Sequence, residues 1–207
     1  MAVLFSQLED IFSKRPYLLG DRPTLADVGF SGPFFRHFAL DPIPLQVLRH
    51  TAPNTLEWVM RLWNSRPESL QGALVQGVPD DIHALLQHMA RGYLPYLNAN
   101  VDAVRQGKST FTAKVDGVTY TQARSSHYRV WCLSELRSRF NVVPQDVQPG
   151  LQLLLTKAGI WEALWAQDDL PLAEGQESRL PFWGDHKMLQ VNSCLLYTSP
   201  SPRDRYI

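Results

Sequence analysis

Four groupings of side chains in this sequence have residue types that can do chemistry. Asp80, Asp81, His83 and His88 are carboxylates and imidazoles of the kind that ligate metals. His at i and i+5 do not share a helical face, however, so the group reads as the acidic start of a helix rather than a metal site. Ser125, Ser126 and His127 set a nucleophile type beside a base type. Adjacent residues diverge on a helix, and no strand–turn–helix elbow frames them, so no hydrolytic centre is expected. Cys132, between Trp131 and Leu133, reads as a small buried hydrophobe. Arg36 and His37 remain as candidates for facing a ligand pocket. Residue types and spacing alone therefore assign no catalytic, cofactor-binding or metal residue.

The pair with a definite physical role is Thr24 and Asp27, in Thr24-Leu25-Ala26-Asp27. Thr at a helix N-cap can satisfy the backbone N–H three residues on, and a carboxylate at that third position can reach back to the cap's own N–H. Asp27 is a shorter-armed variant of the usual Glu or Gln. The turn Gly20-Asp21-Arg22-Pro23 precedes it, and the helix it opens carries Leu25, Val28, Phe34, Phe35 and Phe38 as its apolar set. Gly32-Pro33 lies inside that helix, where the missing N–H should bend it.

Around this start the chain is mostly helical. Leu4, Leu8, Ile11 and Phe12 recur at helical spacing over 4–14. A helix entered through Ala52-Pro53 presents the stripe Leu56, Val59, Met60 and Trp63. Another opens at Asp80-Asp81 and carries Ile82, Leu85, Leu86, Met89 and Tyr93, with Pro95 ending or kinking it before Leu97, Val101 and Val104. Residues 110–121 switch to strand alternation around Asp116-Gly117, a two-residue hairpin turn. It should pair Val115 with Val118 and Ala113 with Tyr120, on a face that must lie on helices. Residues 121–140 read as helix again, and shorter helices follow near 147–157 and 160–165. The fold class is all-α: a helical bundle with one short hairpin near 110–121.

Composition narrows the partners. In 207 residues, 20 basic and 20 acidic side chains cancel, which argues against a nucleic-acid binder. No stretch is apolar and long enough for a membrane span. Two Cys make no disulfide scaffold and fit a reducing compartment.

The segment Pro16-Tyr17-Leu18-Leu19-Gly20-Asp21-Arg22-Pro23-Thr24-Leu25-Ala26-Asp27 resembles the turn joining two core helices in the C-terminal domain of glutathione S-transferases. Leu18, Gly20, Asp21, Pro23, Thr24, Ala26 and Asp27 carry the resemblance, which is closest over residues 1–66. It implies a glutathione transferase C-terminal-like helical domain over 1–167, interrupted by the hairpin. An irregular segment, 168–193, follows. Residues 194–204, Cys-Leu-Leu-Tyr-Thr-Ser-Pro-Ser-Pro-Arg-Asp, resemble the in-frame translation of a sequencing-library adaptor, so 194–207 reads as adaptor read-through. The resemblance assigns Thr24 and Asp27 a structural part, as the capping box. Intact members activate the glutathione thiol with a residue of an N-terminal thioredoxin-like domain. No such pattern stands here, and Val142-Val143-Pro144 reads as a helix-boundary proline. The chain is thus expected to be a fragment, inactive alone, whose parent conjugates glutathione to, or uses it to reduce, a small hydrophobic electrophile. The resemblance further implies glutathione as co-substrate, a homodimer when intact and a cytoplasmic location. It implies no metal, nucleic acid or membrane. The alternative is a non-catalytic helical module that kept this fold for binding or assembly.

Overall fold

The computed structural model describes residues 2–66 and 71–173. Of the expected irregular segment, residues 168–173 contain neither helix nor strand. The rest of 168–193, and all of 194–207 with its adaptor-like string, lie outside the described residues. Among the described residues the order in the chain is α1 (Ala2–Phe12), α2 (Leu25–Pro33), a π-helical turn (Phe34–Phe38), α3 (Pro42–Thr51), α4 (Pro53–Trp63), α5 (Asp80–Arg91), α6 (Tyr93–Arg105), β1 (Thr110–Val115), β2 (Val118–Arg124), α7 (His127–Asn141), α8 (Gln148–Lys157) and the single turn α9 (Trp161–Leu164). The fold is mostly helical with one antiparallel hairpin, as the sequence patterns require.

The chain divides into two compact units. The first comprises residues 1–93 and 149–163. Its core grows from α1, whose Phe5, Leu8, Ile11 and Phe12 recur at helical spacing and are all buried. α1 packs on α3, α4 and α5. Phe12 stacks on Trp58 of α4 at 4.6 Å, and Phe34 meets the same indole edge-on at 5.6 Å. Beyond Gly32-Pro33 the helix runs directly into the π-helical turn, in which the Ala39 N–H reaches back to the Phe34 carbonyl at 2.8 Å. That wider turn brings Phe34 and Phe38 against Phe5, with centroids 5.8 and 5.4 Å away.

Two helices face the core differently from their sequence stripes. In α2, Leu25 and Val28 are exposed and Asp27 is fully buried. Successive residues turn by about 100°, so turning Asp27 inward carries Leu25 and Val28 outward. In α4 the buried residues are Thr55, Trp58 and Val59, while Met60 and Trp63 face solvent. Polar anchors on Thr55 and Trp58 fix that rotation, as described below. Pro95 ends no helix: α5 stops at Gly92, and Pro95 sits in the first turn of α6, where its missing N–H costs nothing.

The second unit comprises residues 94–148 and those from 164 onward. The hairpin turns through Asp116 (φ 47°) and Gly117 (φ 79°), both left-handed as a type I′ turn demands. Val115 pairs with Val118 and Ala113 with Tyr120. Ala113 and Val115 are buried, and Tyr96 of α6 takes Phe111 and Tyr120 at 5.2 and 5.8 Å, so the hairpin lies on a helix. The second strand runs to Arg124, past the expected end at 121, and the helix after it starts only at His127. The fully buried Asn100 joins these parts, its side-chain oxygen accepting the Ser126 N–H at 2.8 Å and its amide donating to the Ser126 carbonyl at 3.0 Å. Arg137, nearly buried, donates to the Leu164 and Gln167 carbonyls at 2.8 and 2.7 Å and lies 5.0 Å from the Trp165 ring. Burial pulls its pKa below the ordinary arginine value, and Asp168 partly offsets that.

In the first unit an ion pair fastens α5. The Arg15 guanidinium donates to both Asp81 carboxylate oxygens, at 2.8 and 2.7 Å, and Lys14 adds a contact at 3.4 Å. Arg15 holds the Asp81 carboxyl below its ordinary value, more strongly than burial raises it. A carboxyl with a lowered folded pKa stabilises the fold fully above its unfolded value, about 4, and loses that contribution as pH falls through the lowered value. Asp81→Asn should therefore cost about 1.5–3 kcal/mol at neutral pH. Urea unfolding at a series of pH values should show a shallower acid limb in the variant, and identical limbs would contradict the assignment.

Candidate functional site

Asp27, fully buried, accepts four hydrogen bonds. Its Oδ2 accepts the Thr24 backbone N–H and the Thr24 hydroxyl, both at 2.8 Å. Its Oδ1 accepts the Leu18 N–H at 2.8 Å and the Trp58 indole N–H at 3.0 Å. Thr24, extended at φ −124° and ψ 175°, and Asp27 face each other as a capping box. The bonds of good geometry belong to the carboxylate, and the Thr24 hydroxyl spends its proton on it instead of standing only as an acceptor for the helix. One buried anion thus joins the turn at Leu18, the start of α2 and the middle of α4.

The turn is gripped from its other sides as well. Arg15 Nε donates to the Leu18 carbonyl at 2.8 Å, so the groups of Leu18 go to Asp27 and Arg15. Arg61 Nη1 donates to the Pro16 carbonyl at 2.8 Å, and the Tyr17 hydroxyl shares a hydrogen bond with Ser65 at 3.1 Å. Gly20 adopts φ 139°, and an added Cβ would stand 2.4 Å from the Ala73 carbonyl oxygen. Only glycine lets that backbone pass so close.

A second carboxylate does the same work without any sequence signature. α4 begins after Ala52, which has no side chain to cap it. Glu9 of α1 fills the place: Oε1 accepts the Asn54 N–H at 3.1 Å and its side-chain amide at 2.6 Å, and Oε2 accepts the Thr55 N–H and hydroxyl at 3.0 and 3.1 Å. The available sign was a helix start with an alanine cap and orphan donors; which residue answers it is set by tertiary packing.

The other candidates lie elsewhere. Arg36 and His37 are exposed on the π-helical turn, with His37 Nδ1 3.8 Å from Asp41 Oδ2. Asp81 is engaged by Arg15 and Lys14, and no group of three or more metal-ligating side chains occurs among the described residues. Ser125 donates to the Lys108 carbonyl and His127 Nδ1 meets the Pro171 carbonyl at 3.3 Å, so neither engages the other. Cys132 is half-buried, less sealed than its apolar neighbours suggest. It faces Tyr128, whose phenol is pushed up by the adjacent thiol and then by burial. The arrangement around Asp27 can hold backbone; its acceptor oxygens are all engaged by the chain's own donors, which leaves it structural.

Residues 1–66, about a third of the chain, match the family model described as "Glutathione S-transferase, C-terminal domain". No curated protein and no solved structure matches the chain. The matched stretch contains the whole Asp27 clasp and the Glu9 cap, so the match supports a glutathione S-transferase C-terminal domain there.

Removing the clasp should be severe. Asp27→Ala leaves the Leu18 and Trp58 N–H groups buried and unpaired and should cost at least about 3 kcal/mol. Thr24→Ala should cost about 1 kcal/mol alone and much less in the Asp27→Ala background, because the two act as one unit. Urea midpoints of the three variants check this, and additive costs would contradict it. Glu9→Ala should cost about 1–2 kcal/mol, read the same way; an unchanged midpoint would show that α4 needs no borrowed cap.

Proposed function

We propose, from the premise that residues 1–66 carry a glutathione S-transferase C-terminal domain, that this chain is the helical part of a glutathione transferase-like protein. The intact protein lowers the pKa of the glutathione thiol and delivers the thiolate to a small hydrophobic electrophile, or uses glutathione as reductant. The helical part supplies the wall against which the electrophile packs and, in this reading, part of a homodimer contact. The thiol-activating group belongs to a thioredoxin-like domain that the described residues do not contain. Arg36 and His37 are the side chains proposed to reach a ligand from the helical side. A cytoplasmic location goes with this reading; no described helix is long and apolar enough to cross a membrane.

The observation that carries the proposal is the Asp27 clasp inside the matched segment, since the buried carboxylate joins the same turn and helix start that the motif defines. A second reading, a non-catalytic module for binding or assembly, is favoured by the hairpin unit, which lies beyond the matched residues.

The chain of 207 residues should pass through immobilised glutathione unretained and should not conjugate glutathione to a chromogenic aryl halide above the uncatalysed rate. Retention or turnover would put thiol activation within this chain and overturn the proposal. The reading frame upstream of Met1 separates the two readings. A βαβ pattern with a proline loop supports the transferase, and its absence supports the binding module.

A further inference from the structure

We propose that the second unit holds a site for a small hydroxylated carboxylate, of sugar-acid size, between the end of α6 and the first strand of the hairpin. The site is independent of the proposed transferase function and lies outside the matched residues. A cleft of about 440 Å³ opens there, within the size range of small-molecule sites. Its floor is α6, where Ala99 and Ala103 stand one helical turn apart and leave room above the helix.

The polar wall is built in by the backbone. α6 ends in a Schellman motif: the Lys108 N–H bonds to the Ala103 carbonyl at 2.9 Å and the Gly107 N–H to the Val104 carbonyl at 3.0 Å, with Gly107 at φ 64°. This closure satisfies the Ala103 and Val104 carbonyls and pins the backbone of Lys108 at the rim. Opposite, the hairpin carries a β-bulge. Phe111 pairs with Ala123 and Ala113 with Tyr120, so Thr112 alone faces both Thr121 and Gln122. Gln122 sits at φ 53°, a left-handed conformation that glycine would occupy without strain, and its side chain lines the cleft. Bulges re-aim side chains, and backbone strain held at a cleft points to a function there.

Charge and hydrogen-bonding capacity define the ligand. Asp102 is engaged by Arg105 at 3.1 Å and by Gln167 at 3.2 Å. Lys108 makes no ion pair among the described residues, which leaves its ammonium free for an anion. Thr110, Thr112 and Gln122 both donate and accept, as alcohol groups do. The half-buried Phe111, braced on Tyr96 at 5.2 Å, gives an apolar rim for the C–H face of a carbon chain. A carboxylate against Lys108, with hydroxyls along the strand, uses all of these.

The test is an amide chemical-shift titration of the full chain with D-gluconate, with acetate (charge without hydroxyls) and sorbitol (hydroxyls without charge) as controls. Gluconate should shift the amides of Lys108, Thr110, Thr112 and Gln122 saturably at millimolar concentration, and both controls should bind at least tenfold more weakly. Lys108→Gln should weaken gluconate binding at least tenfold. Gln122→Gly should weaken it at least fivefold while leaving the melting temperature unchanged or raised, since glycine relieves the strained φ. A merely structural Gln122 would show the gain in stability without the loss of binding, which would overturn the assignment. So would the absence of saturable shifts, or acetate matching gluconate.

Discussion

A carboxylate sealed from water must have its lone pairs filled, and in this protein that requirement organises the first helical unit. Asp27 is fully buried and accepts from two backbone and two side-chain donors. Because the donors come from the turn, the helix start and α4, the anion fixes three segments at once. The rotation of α2 follows from it, as does the placement of Trp58, whose indole donates to Asp27, stacks on Phe12 and meets Phe34 edge-on. Isolated buried charge is very costly, so the same residue that fastens the core would disrupt it if any partner moved away.

The first unit repeats this device. Glu9 closes the start of α4 from α1, and Asp81 ties α5 to Arg15, which also holds the Leu18 carbonyl. Two of these carboxylates, Asp27 and Asp81, thus converge, through Leu18 and Arg15, on one short turn. Aromatic packing fills the space between them, with the π-helical turn supplying the extra residue that lets Phe34 and Phe38 both reach Phe5. The second unit uses neutral and cationic versions of the same strategy: Asn100 holds Ser126, and Arg137 holds the Leu164 and Gln167 carbonyls.

What could be read from the residues was whatever is local. The cap at Thr24 and Asp27, the Asp116-Gly117 turn with its register and the α1 stripe are all written in neighbouring positions. The inward faces of α2 and α4 were not legible, because both helices carry apolar residues on more than one side and buried polar anchors decide the phase. Leu25, Val28, Met60 and Trp63 are exposed for that reason. The Glu9 cap and the Arg137 contacts join residues far apart in sequence, and the bulge that carries β2 to Arg124 depends on a strained Gln122 that no propensity marks. Of the candidate site, the structural pair was legible and the polar cleft of the hairpin unit was not.

Native-state hydrogen exchange at the Leu18 amide and the Trp58 indole N–H addresses the Asp27 clasp most directly. If it is the constraint on which the first unit depends, both protons exchange only through global unfolding, with the same free energy and denaturant slope as the urea transition. Fast exchange at either proton, insensitive to denaturant, would show that the clasp opens locally while the unit stays folded.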